Sequence, residues 1–218
     1  MTNEVEICNL ALSHIRAGSI NSLTEASIQA QQCKLKYPIL RDQMLQDAPW
    51  QFSRSLKPLA LLTDTLFNWI YVYQYPSDCL YINRLHVNFA EVSADNGTSA
   101  VASRYYDRGL PRPDLDQQVE HKIYNIDGNK VIASNEKELR IDYRKCVEDP
   151  NLFSINFIMG LSHLLAAELA IPLVGVDKGR GLRSDELKIY QSYVDSGIEN
   201  ELNEQFTEIP DSDFINVR

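Results

Sequence analysis

A chain of 218 residues with 44% hydrophobic residues is long enough for one large core or two smaller ones. Its net charge of −9 (21 Lys and Arg against 30 Asp and Glu) argues against non-specific nucleic-acid binding, which needs clustered cations to neutralise phosphates. An acidic wall would instead repel a passing phosphate backbone and leave it free to slide.

The first expected helix covers about residues 3–17. It puts Val5, Cys8, Leu12 and Ile15 on one face at steps of three and four, and stops at Gly18. A second begins near Thr24, the candidate N-cap, with Ala26, Ala30, Cys33, Tyr37, Leu40 and Met44 in phase. Pro38 lies inside this pattern and is expected to kink or interrupt it near Lys34, because its ring clashes with the preceding turn. Pro49 in D-A-P-W-Q-F (Asp47 to Phe52) closes the element.

From Phe52 the period changes to two. Trp69, Tyr71, Tyr73 and Tyr75 alternate with Ile70, Val72 and Gln74, which reads as a strand. A turn at Pro76 to Asp78 leads to a second strand with Leu80, Ile82 and Leu85. Asp127-Gly128-Asn129 between two β-like runs, His121 to Ile126 and Lys130 to Ala133, is a hairpin signal. Leu139, Ile141 and Tyr143 line one face of a further strand. Residues 93–118 are polar, with Gly97, Gly109, Pro111 and Pro113, and read as a long loop or an extended hairpin arm. Its Arg104, Tyr105, Tyr106 and Arg108 suit a protein interface.

Helical period returns after Asp149-Pro150. Leu152, Ile155, Ile158, Leu161, Leu165 and Leu169 form the apolar stripe of a helix ending at Pro172. Asn156, His163 and Glu168 within this stretch argue for a buried helix over a membrane span. Residues 175–181 read as a glycine-containing link carrying G-R-G, and Ser184 as the cap of a last helix with Leu187, Tyr190, Tyr193 and Val194. Beyond about residue 205 the pattern gives way to a C-terminal tail, in which Ile209, Phe214, Ile215 and Val217 alternate with polar residues up to Arg218. So apolar a terminal segment suits a partner or a neighbouring subunit, with folding back on its own subunit as the alternative.

The fold class expected from this order is α+β: a four-helix bundle formed by N- and C-terminal helix pairs, with an inserted antiparallel β domain and an extended C-terminal tail. The bundle would comprise residues 1–51 and 150–206, the β domain 52–149 and the tail 207–218.

Chemistry is sparse. Cys8, Cys33, Cys79 and Cys146 form no C-x-x-C pair and read as free thiols of a reducing compartment. The acidic start M-T-N-E-V-E is unlike a secretory leader. His14, His86, His121 and His163 show no H-E-x-x-H spacing, and His163 and Glu168 fall on different helix faces. No G-x-S-x-G or P-loop motif occurs. The expectation is a protein without catalytic residues, metal or cofactor.

Several segments carry a resemblance. I-C-N-L-A-L-S-H-I-R-A-G-S-I-N-S-L (Ile7 to Leu23) resembles the opening helix and turn of the head-to-tail adaptor family of short-tailed bacteriophages, also called tail tubular protein A. Tyr37, Arg41, Leu45 and Trp50-Gln51-Phe52 follow with similar spacing. W-I-Y-V-Y-Q-Y-P-S-D-C-L (Trp69 to Leu80) and L-R-I-D-Y-R-K-C-V-E-D-P-N-L-F (Leu139 to Phe153) are similar to the family's aromatic strand and its last strand entering the third helix. The end of the chain, with Phe214 and Arg218, resembles the family's C-terminus. The loop at 93–118 has no counterpart, so nothing is carried over to it.

The resemblance implies a non-enzymatic virion component: a homo-oligomeric ring, usually a dodecamer in that family, between the portal protein and the tail nozzle protein. It would be assembled in the host cytoplasm. Double-stranded DNA would pass through the lumen without specific binding, and no membrane would be involved. Ile209, Phe214, Ile215, Val217 and Arg218 would hold the portal. A phage binding module or chaperone that forms no ring is the alternative. A tail-associated glycan hydrolase is a more distant one, and would need two carboxylates across a cleft.

Overall fold

In a computed structural model the described residues are 3–63, 66, 68–87 and 119–204. The chain divides into two compact units, one of residues 1–52 with 147–218, the other of residues 53–146.

The first unit is helical. Helix α1 (Glu4–His14) starts on a capping box: the Asn3 side chain accepts from the Glu6 N–H, and Glu6 accepts from the Asn3 N–H. Helix α2 (Ile28–Asp47) is capped by Ser27, not Thr24, because the Ser27 hydroxyl reaches the Ala30 N–H. Thr24 bonds to Ser22 within the preceding turn. Pro38 sits within an uninterrupted α2 on its exposed side.

Helix α3 (Ile155–Val174) is capped by Ser154 and ends at Gly175, whose φ is 95°. It is buried on almost every side from Gly160 to Ala170. The expected stripe was displaced: Leu152 and Ile155 are exposed, and Phe157, Leu164 and Ala167 lie inside with Leu161, Leu165 and Leu169. The helix is long and apolar enough to cross a membrane, yet most of it is buried within the unit.

Helix α4 (Val176–Glu204) follows at once. The G-R-G segment therefore lies within its first two turns and is not a link, and Ser184 lies in its interior. The glycine is a packing device. A Cβ on Gly179 would stand 2.8 Å from the Ala170 carbonyl oxygen, so only glycine lets α4 start against the end of α3.

The expected bundle of two helix pairs does not form. α3 is a hub on which α1, α2 and α4 each pack, with α4 the closest partner, while α1 and α2 scarcely touch. The physical reason is α3's composition: a helix that is apolar all round buries itself only when neighbours surround it. Trp50 completes the packing. It is 2% exposed, donates from its indole N–H to the Met44 carbonyl at 2.8 Å, and meets Phe157 edge-on at 5.2 Å. Gly197 makes room for it, since a Cβ there would lie 2.5 Å from the indole ring.

The second unit is antiparallel β and consists of two three-stranded sheets. β1 (Arg54–Pro58), β3 (Cys79–Val87) and β6 (Leu139–Lys145) form one sheet, with β6 central. β2 (Tyr71–Gln74), β4 (His121–Ile126) and β5 (Asn129–Ser134) form the other, with β5 central. β4 and β5 join through Asp127-Gly128, both at positive φ, as the hairpin signal requires. Tyr73 and Ile132 from one sheet share a core with Leu85, Leu139, Ile141 and Tyr143 from the other.

The interface residues expected at Arg104, Tyr105, Tyr106 and Arg108 lie outside the described residues, as does the tail with Ile209, Phe214, Ile215, Val217 and Arg218.

Candidate functional site

Two features of the helical unit exceed what folding alone needs. One is polar and interior. His14 in the last turn of α1 stacks on His163 of α3, with ring centroids 4.1 Å apart and planes 17° from parallel. Tyr193 of α4 stacks on His163, 5.6 Å away. His163 Nδ1 meets Glu186 Oε2 of α4 at 2.6 Å, and both residues are buried. Ser162 donates to the Met159 carbonyl at 2.7 Å, so its contact with His14 Nε2 at 3.2 Å is completed by the imidazole N–H. Burial, then the neighbouring His163, hold the His14 ring below its ordinary pKa, with Glu186 partly offsetting them. His14 is thereby favoured as the neutral ring.

Sequence reasoning found none of this triad. Its members lie in three helices, far apart in the chain, so no local spacing marks them. The one available signal was Glu186, which falls in phase with Tyr190 and Val194 on the buried face of α4. Glu168 is indeed elsewhere: it takes the Arg183 guanidinium at 2.7 Å and lies 3.7 Å from Lys36 Nζ.

The other feature is apolar and external. On α2, Ile28, Leu35 and Ile39 are 66%, 62% and 64% exposed. Steps of seven and four put them on one face, with Pro38 beside them. The opposite face, with Cys33, Tyr37, Leu40 and Met44, is buried. A soluble helix normally makes its outer face polar.

The segments that carry the family resemblance have structural tasks. Asn9 clamps the turn after α1, donating to the Ile20 carbonyl at 2.9 Å and accepting from its N–H at 2.8 Å. Asp78 receives the Tyr143 hydroxyl at 3.0 Å and Lys57 at 3.2 Å. Burial pushes the Asp78 carboxyl up, but those hydrogen bonds outweigh it and hold it below its ordinary value. Asp142 takes Arg54 through two nitrogens, the closest at 2.6 Å, and Asn83 at 3.2 Å.

None of the four cysteines forms a disulfide. Cys8 and Cys33 are fully buried, and their mutual hydrogen bond, then burial, push the Cys8 thiol far up, which keeps it protonated. A surface hollow of about 680 Å³ in the β unit is lined by Tyr75, Asp127 and Lys130 among others, and Asp127 is the one carboxylate residue among the described residues that line it.

Compared with known protein families and with curated proteins, the chain has no match.

Proposed function

We propose that this chain is a structural head-to-tail adaptor of a virion. Copies of it would form a ring, a dodecamer on the family pattern, between portal and tail nozzle, giving DNA a passage. The observation that carries the reading is the aliphatic ridge of Ile28, Leu35 and Ile39 on α2. Large side chains this exposed on one helix face favour a protein partner. In a ring the natural partner is the next subunit. The resemblance of Ile7 to Leu23, Trp69 to Leu80 and Leu139 to Phe153 to the adaptor family supports the same reading, as does the net charge of −9, which disfavours adhesion of DNA.

In this proposal the tail, with Ile209, Phe214, Ile215, Val217 and Arg218, holds the portal, and the loop with Arg104, Tyr105, Tyr106 and Arg108 serves a protein contact. The test is to measure the mass of the purified full chain over a range of concentrations, alone and with portal protein. A ring and a stable portal complex are expected. Removal of residues 208–218 should leave a folded subunit that no longer joins the portal. A chain that stays a monomer or dimer at every concentration and ignores the portal would be a binding module of another kind, and the adaptor reading would fall. Normal portal capture by the truncated chain would remove the tail from the proposal.

A further inference from the structure

We infer that His14, His163 and Glu186 form a binding site for a single first-row divalent cation of the zinc class, tying α1, α3 and α4 together. This does not depend on the adaptor reading. One potential ligand atom from each residue lies within 4.8 Å of the other two. Two ligands on one zinc ion, each about 2.1 Å from it, stand up to about 4.2 Å apart, so the three side chains lie within reach of one ion once a ring turns. Two imidazoles and a carboxylate are a donor set that suits zinc, with a fourth position for water.

Charge balance points the same way. The Glu186 carboxylate is buried, and its ion-pair partner among the described residues is His163, with no Lys or Arg on it. An isolated buried carboxylate is costly. A divalent ion bound between the two rings and the carboxylate supplies the positive charge that balances it.

The stacked rings show what binding must change. An ion cannot lie in the planes of two parallel imidazoles, so one ring has to turn. His14 is the looser of the two: it is only half-buried, and its bond to Ser162 is 3.2 Å long. His163 is held by Glu186 and faced by Tyr193. His14 therefore swings out of the stack. Ser162 keeps its bond to the Met159 carbonyl and is left without an unsatisfied donor.

The experiment uses the full chain stripped with a chelator, titrated with Zn²⁺ by calorimetry and with Co²⁺ by visible absorption. Saturable uptake of about one ion per chain is expected, with the intense band of a tetrahedral cobalt site and a rise in Tm on adding Zn²⁺. Glu186→Gln and His14→Gln should each weaken uptake by at least about tenfold. In wild-type protein, Zn²⁺ should shift the ring resonances of His14 and His163, which locates the site even if a variant fails to fold. No saturable uptake, uptake as tight as wild type in both folded variants, or shifts confined to His86 and His121 would overturn the proposal.

Discussion

The two units bury their cores by different means. The helical unit surrounds one apolar helix, α3, with three others, and small residues govern how near they come: Gly179 against Ala170, Gly197 under Trp50. The β unit holds a smaller apolar core between two three-stranded sheets and adds polar ties across strands, Arg54 to Asp142 and Tyr143 to Asp78. Stability in the first should depend on volume. In the second it should depend in part on charge, and so on pH.

Phe157→Ala should be the most damaging change. The residue is fully buried among Trp50, Phe52 and Phe153, and its loss should cost about 3–5 kcal/mol by chemical denaturation. A cost near that of a surface change would mean that α3 is not the hub. Asp142→Asn comes next. It removes the charge that receives Arg54 and Asn83 from a side chain 6% exposed, and should cost about 1–3 kcal/mol, because Arg54 is half-exposed and can turn to water.

Tyr143→Phe should cost about 1 kcal/mol at neutral pH through its lost bond to Asp78. The folded-state pKa of Asp78 is depressed, so the stabilisation is present above its unfolded value and disappears as pH falls through its folded value. Unfolding curves of wild type and variant should therefore converge in acid. A gap that stays constant from neutral to acid pH would assign the tyrosine's effect to packing alone.

Leu35→Ser with Ile39→Ser should have the smallest effect on the subunit, within about 0.5 kcal/mol, since both side chains are largely exposed. If the ridge is the subunit contact, sedimentation should still show loss of the ring. An intact ring would place that contact elsewhere.

Much of this fold was local and could be read from sequence. Asp127-Gly128 turns a hairpin, and Cys8 and Leu12 lie on the inner face of α1, with the buried Ile15 just past its end, as their spacing demands. These are choices that a few neighbouring residues make by hydrogen bonding and periodicity. Tertiary structure decided the rest, because glycine, proline and charged residues carry different meanings in different surroundings. G-R-G reads as a flexible link until α3 is placed beside it, and then Gly179 becomes the one residue small enough for the contact. Pro38 reads as a break until its outward face is seen. His14, His163 and Glu186 are unrelated in sequence and meet only because α1 and α4 both need the apolar surface of α3.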